Sequence, residues 1–402
     1  MTLHGFTARR VVTGDPGRGT LEDAAVVIDG ARIVYVGPRA GAPPGAALVD
    51  VGDRVVTPGL VDAHTHACWV GSRHAEYAVR MAGGDYRDIA KAGGGILASH
   101  RAVAAATEDA LVEALVARLR RMARLGVTTV EVKSGYGLEP VHERKQLAAI
   151  ARAAARPGVP AVVPTFLALH ALPPSADRAA YVARVARELV PEVARERLAR
   201  FVDAYVDANA FTVEEARAVG EAARTHGLGV RLHVGQFADI GGAELAAELG
   251  AASVDHVEHI SPTGIEALAR AGVAAVLLPV ASFTLAQPPP PVAALRDAGV
   301  SLVVASDANP GTAPTESLPL ALALAVRSYG MTPDEALLAV TRHAAASLRL
   351  SDRGVLREGA RADLVVWDLP HEHAIVQPWG VSKTRTVLVD GVLVDGVDVR
   401  EA

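Results

Sequence analysis

The feature that most constrains how this chain can fold is an alternation. Eight short apolar runs recur along it: "LVDAH" (60–64), "VTTVEVK" (127–133), "AVVPTF" (161–166), "FVDAYV" (201–206), "VRLHV" (230–234), "SVDHVEH" (253–259), "AAVLLP" (274–279) and "SLVVASD" (301–307). Stretches of helical period separate many of them. Two of these, "EDALVEALVARLRRMARLG" and "TVEEARAVGEAARTHG", end on glycine, as helix C-termini often do. Strands alternating with helices imply a parallel sheet, and eight such repeats imply an α/β chain folded as a (β/α)8 barrel of the TIM type.

The two ends read differently. "AAVVIDGARIVYVG" near the start and "TRTVLVDGVLV" near the finish are short β-type runs joined by Asp-Gly, a hairpin signature. Neither end carries enough sheet for a core of its own. The expectation is one small β-domain built from both, with residues 1–57 and 351–402 flanking a barrel domain over 58–350. "QPPPP" (287–291) reads as a stiff loop.

Composition narrows the partners. Half of the 402 residues are hydrophobic and the net charge is −5, which argues against disorder and against binding to nucleic acid. The single cysteine, Cys68, excludes an intrachain disulfide framework and fits a reducing compartment. The first residues lack the apolar core of a signal peptide, and the longest apolar runs are too short to span a bilayer. A cytoplasmic protein with no membrane partner is expected.

Polar residues collect at the C-terminal ends of the eight runs, where barrels of this kind carry their active sites. His64 and His66 close the first, His233 the fifth and Asp307 the eighth, while His256 lies on the sixth. Residues two apart on a strand face the same side, so His-Thr-His aims two imidazoles at one point. Three histidines and one aspartate make a donor set for a catalytic metal ion, with water completing the shell. His256 would then move a proton or polarise a carbonyl. The competing reading is that each histidine caps its own strand.

"PGLVDAHTH", the later isolated histidines and "ASDANPG" resemble the amidohydrolase superfamily. "GSRHAEY", "GGDYRDIAKAGGGI", "EVKSGYGL", "TFLALHALP", "DHVEHIS" and "SDANPGTAPT" narrow the resemblance to the imidazolonepropionase family, and it runs along nearly the whole chain. The resemblance implies a distorted (β/α)8 barrel with a β-sandwich formed by both termini. It implies a single divalent ion, zinc or iron, held by His64, His66, His233 and Asp307. It implies substrate contacts at Arg73, Tyr86, Tyr136, His170, Gln236, Asn309, Gly311 and Thr312, and catalytic roles for His256, Asp307 and Gln236. A homodimer is compatible with it. Relatives with two metals bridge them through a modified lysine on the fourth strand. "FVDAYVDAN" offers none, and Lys133 on the second run is expected to pair with a carboxylate.

The implied substrate, 4-imidazolone-5-propanoate, carries a carboxylate that Arg73 could hold through two parallel hydrogen bonds, with Tyr86 and Tyr136 adding hydroxyl donors. Ordinary readings stand beside these: Arg73 on a solvated loop, the tyrosines as packing residues. "AGGGI" (92–96) is expected to form a flexible active-site loop, and Cys68 a small buried residue. One departure stands out. Where the resembled family has His-Ala-Asp-Glu-Phe, this chain has "HVGQF", so Gln236 replaces a glutamate. Glutamine keeps the shape and one acceptor but cannot take a proton near neutral pH. The expected reaction is hydrolysis of the cyclic amide by a metal-activated water, giving N-formimidoyl-L-glutamate in histidine degradation. The alternatives are another cyclic amidase or deaminase of the superfamily acting on a carboxylate-bearing ring, or a metal-binding pseudoenzyme.

Overall fold

The structure, a computed structural model, describes residues 3–84, 94–174 and 176–394. Its strands in chain order are β1 His4–Val12, β2 Thr20–Asp29, β3 Arg32–Pro38, β4 Ala47–Asp50, β5 Val55–Pro58, β6 Leu60–Asp62, β7 Val127–Lys133 and β8 Ala161–Leu169. They continue as β9 Phe201–Val206, β10 Gly229–Val234, β11 Ser253–His256, β12 Ala274–Leu277, β13 Leu302–Val304, β14 Leu364–Trp367, β15 Thr384–Val389 and β16 Val392–Leu393. All eight apolar runs of the alternation are strands, β6 to β13. They lie side by side in chain order in one sheet, each parallel to the next.

That sheet nearly closes on itself. Past the ends of β6 and β13, Thr65 forms a parallel bridge with Ala308. Asp62 accepts from the amide and the hydroxyl of Ser306 at 3.0 and 2.5 Å. Helices on the outside follow from local chemistry. Thr107 caps the helix Glu108–Arg124 by accepting from Ala110, and Thr212 with Glu215 forms a reciprocal capping box on Val213–Thr225. Among the described residues no helix is long and apolar enough to cross a membrane.

Four runs end sooner than their composition suggests, β12 among them at Leu277, ahead of Leu278 and Pro279. Strand β11 stops at His256 because His256 and Val257 adopt φ of 86° and 67°, which takes the chain out of the extended ladder. Strand β13 stops at Val304, and Asp307 three residues later has φ 53°. Strand β6 ends at Asp62, so His64 and His66 lie beyond it. They stay in register because hydrogen bonds pin the segment on both sides: Lys133 N to Thr65 O, Asp307 N to His64 O and His66 N to Ala308 O, at 3.0–3.1 Å.

Both termini meet in a second, mixed sheet of order β16-β15-β14-β5-β1-β2-β3, with β4 beside β1. The C-terminal β14 pairs antiparallel with the N-terminal β5, and β5 runs parallel to β1. The second Asp-Gly pair turns β15 into β16 with φ of 56° at Asp390 and 76° at Gly391, the left-handed pair that such two-residue turns require. A Cβ on Gly391 would stand 2.0 Å from the carbonyl oxygen of Gly30, in the turn of the other Asp-Gly hairpin. The two hairpin ends therefore interlock only with glycine at 391.

Candidate metal centre and active site

The donors named from the sequence converge. His66 Nε2 lies 3.3 Å from His64 Nε2 and 3.3 Å from His233 Nε2. Asp307 Oδ1 lies 3.4 and 3.5 Å from the Nε2 atoms of His64 and His66. All four residues are buried. The other nitrogens fix the tautomers: His64 Nδ1 meets Asp255 Oδ2 at 2.7 Å, and His233 Nδ1 meets Asp203 at 3.1 Å. A carboxylate facing Nδ1 accepts a hydrogen bond from the proton held there, so Nε2 presents a lone pair. Lone pairs facing each other at this distance repel unless a cation lies between them. Tetrahedral ligands ~2.0–2.1 Å from a metal stand ~3.3–3.4 Å apart, close to the four separations just given. Asp307 Oδ1 is buried without a hydrogen-bond partner, which also fits a ligand. The residues thus fit one divalent ion.

Beneath the cluster lies a buried charge network. Lys133 Nζ donates to Glu131 and Asp203, both at 2.8 Å, and stands 3.5 Å from Asp255. Arg231 stands 3.4 Å from Asp255 and donates to the carbonyl of Ala63 at 2.8 Å. Burial opposes the Lys133 charge, but Asp203 and Glu131 outweigh it and hold the ammonium up. Glu131, Asp203, Asp255 and Asp307 outnumber the fixed cations, so the ligands stand in a net negative field that favours a further cation. His64 registers that field. Burial and Lys133 pull its imidazole down, yet Asp255 and Asp307 outweigh them and hold it up at about 9. A proton and a metal ion compete for the same Nε2.

The ligands open onto a narrow cavity of about 60 Å³. His66, His233, His256 and Asp307 line its floor, and Arg73, Tyr136, His170, Gln236, Asn309 and Thr312 line its walls. His170 donates Nδ1–H to the carbonyl of Gly135 at 2.8 Å and stacks on His66 with ring centroids 5.2 Å apart. Burial, reinforced by His233, pushes it down to about 3, so it stays neutral. Asn309 Oδ1 accepts from the amides of Gly311 and Thr312 at 2.8 and 2.7 Å, which shapes the rim. Arg73 donates Nε to Glu76 at 2.9 Å. A Cβ on Gly311 would stand 2.2 Å from Arg73 Nη1, so Gly311 is what admits the guanidinium. Tyr86 and the first two residues of "AGGGI" lie outside the described residues. Cys68 is buried, its thiol pushed up to about 12 by burial.

Several contributors were not singled out from the sequence. Asp203 and Asp255 hold the ligand imidazoles, and Tyr205 donates its hydroxyl to Gln236 Oε1 at 2.8 Å, which turns the amide nitrogen of Gln236 away from it. The signal was a polar pair two apart at a strand end: Glu131 with Lys133, Asp203 with Tyr205, Arg231 with His233. Such spacing puts both side chains on one face, here the barrel interior. Lys133 pairs with carboxylates as expected.

Comparison with known proteins agrees with this geometry. The sequence profile of the Amidohydrolase family matches residues 55–397. An imidazolonepropionase of Paracoccus denitrificans is 44% identical over 384 residues, covering 94% of this chain and 96% of that protein. Another, of Acidiphilium cryptum, is 46% identical over 358 residues, covering 88% and 89%. The solved atrazine chlorohydrolase of Arthrobacter aurescens, complexed with zinc, superposes with a TM-score of 0.71 at 19% identity, covering 98% of this chain and 95% of that one, a likeness of fold. With a family profile over most of its length and relatives this similar from end to end, the chain belongs to the amidohydrolase family, among the imidazolonepropionases.

Proposed function

We infer that this chain is a metal-dependent hydrolase that opens the cyclic amide of 4-imidazolone-5-propanoate to N-formimidoyl-L-glutamate, the imidazolonepropionase step of histidine degradation. The observation that carries the reading is the cluster of His64, His66 and His233 beneath the pocket, with Asp307 against His64 and His66, in a chain of this family. These four residues would hold one divalent ion, zinc or iron. When bound, the ion supplies Lewis-acid chemistry and lowers the pKa of a water toward neutrality.

The chain's own residues do the rest. Arg73 binds the propionate on the edge not taken by Glu76, and Tyr136 closes over the ring beside His170. Gln236, its oxygen engaged by Tyr205, donates its amide N–H to the ring and holds it in register. Water attacks the ring carbonyl. Asp307 takes the proton and delivers it to the departing ring nitrogen as the C–N bond breaks. His256 holds or moves a proton at Nε2 beside the carbonyl oxygen. Residues 58–350 form the catalytic unit in this reading, with 1–57 and 351–402 as its appended β-domain. The single buried cysteine accords with a cytoplasmic setting.

The pseudoenzyme and another cyclic amidase or deaminase acting on a carboxylate-bearing ring are less favoured. The pocket presents Arg73 to an anion, and the relatives match along almost the whole chain. The test is to mix the metal-loaded protein with freshly prepared imidazolonepropionate and follow its ultraviolet absorbance. Decay no faster than the spontaneous rate rejects the substrate.

A further inference from the structure

Glu258 has a job that nothing above uses. It follows the two left-handed residues His256 and Val257, and hydrogen bonds from Val257 N to Val234 O (3.0 Å) and from His259 N to Gly235 O (2.8 Å) hold the kink in place. The Glu258 side chain is fully enclosed. One oxygen, Oε1, accepts from Ser282 Oγ at 2.7 Å. Ser282 Oγ in turn lies 2.6 Å from Tyr329 Oη. The other oxygen, Oε2, has no hydrogen-bond partner among the described residues, and neither has the buried His256 Nδ1. These two atoms are each other's neighbours, 3.7 Å apart. A buried carboxylate oxygen and a buried ring nitrogen are both costly to leave unmatched, and each is what the other lacks. A small shift of either side chain would bring them into hydrogen-bonding range, and catalytic hydrogen bonds are often long before substrate binds.

We propose that Glu258 is a positioning residue that keeps a proton on His256 Nδ1 and thereby commits Nε2 to the substrate. Tyr329 and Ser282 anchor it from two neighbouring helices, Leu318–Tyr329 and Pro279–Leu285. A carboxylate behind an imidazole fixes its tautomer and its orientation and steadies positive charge on the ring when it carries two protons. That division of labour answers the glutamine at 236. With a glutamine in place of that carboxylate, the group at the carbonyl is an imidazole backed by a carboxylate from behind, while Asp307 carries the proton to the ring nitrogen. The proposal rests on the reading of His256 as the group at the carbonyl.

The test uses metal-loaded, ¹⁵N-histidine-labelled protein, with the His256 signals assigned by their loss in His256→Asn. Wild type is expected to carry a proton on Nδ1. In Glu258→Gln the amide donates to Nδ1 instead, and the proton moves to Nε2. The same variant is expected to lose ~10²–10⁴-fold in kcat with KM and bound metal little changed. A wild-type ring unprotonated at Nδ1 overturns the proposal without any variant. So does a Glu258→Gln protein that keeps both the Nδ1 proton and wild-type kcat. If wild type fails to turn over imidazolonepropionate, the function assigned above falls, and the tautomer alone still decides the role of Glu258.

Discussion

In the terminal sheet, neighbouring residues alternate between two apolar cores. Val55, Val365, Trp367 and Val387 face the barrel, while Val56, Leu364, Val366 and Leu388 face a separate cluster with Phe6, Val26 and Ile33. Inside the barrel, up to its mouth, the same two-residue period carries polar and charged groups, with Glu131 and Lys133, Arg231 and His233, Ser253 and Asp255 sharing faces. The backbone rule is one and the same, and the energetics are opposite. Each apolar residue of the terminal sheet is stabilised by leaving water, whichever apolar neighbour it meets. Each charge at the mouth is tolerable only because particular partners are in place. The terminal sheet is therefore forgiving of sequence and the mouth is not.

The largest effect should come from removing one charge of the network. Lys133→Met keeps the length of the side chain and leaves Glu131, Asp203 and Asp255 without their ammonium. A loss of about 3–5 kcal/mol is expected in denaturant unfolding. A loss below 1 kcal/mol would mean that the carboxylates do not depend on one another as described. In the terminal sheet, Leu364→Ala should cost about 2–5 kcal/mol by cavity formation. Its metal affinity should match wild type, since the cluster it lines is remote from the ligands. A drop in affinity measured against a competing chelator would show that the two regions are mechanically joined.

Intermediate in size is Asp255→Asn, which loosens the hold on His64 Nδ1. Metal affinity should fall about 10–100-fold, with only a modest change in unfolding midpoint of the loaded protein. Equal affinity would demote Asp255 to a structural role. The smallest effect concerns Glu372, which receives two hydrogen bonds at 2.8 Å from Arg10 of the terminal sheet. Burial pushes its carboxyl up, but the Arg10 hydrogen bonds outweigh this and bring it from the usual 4.5 down to about 2. The folded value is the lower one, so the stabilisation is present above about pH 4.5 and is lost as pH falls from there toward 2. Glu372→Gln should flatten thermal stability across that window and leave the metal site untouched. An unchanged pH profile would contradict the pairing.

Legibility differed between the same two regions. The Asp-Gly turns and the apolar alternation announced the terminal hairpins, because turn chemistry and period are local. The eight strands were legible as apolar runs, and the clustering of His64, His66, His233 and Asp307 was legible as polar residues at the tips of those runs. The ends of β11 and β13 were not. Left-handed backbone at His256, Val257 and Asp307 is unfavourable for these residue types and is imposed by surrounding contacts. Asp203 and Asp255 were visible as residues but not as partners of His233 and His64. Arg73 read as free to bind a carboxylate, and the structure places Glu76 on part of its guanidinium.

The sequence alone determined the barrel, the shared terminal sheet and the candidate donor cluster, because hydrophobic period and residue type act over a few positions and survive without a partner. Only the tertiary structure decided which carboxylate stands behind which imidazole, that Gly311 makes room for Arg73, and that Tyr329, Ser282 and Glu258 line up toward His256. Those relations join residues from different elements across the barrel. Period tells which face a side chain takes, and it carries no information about what waits on the other side.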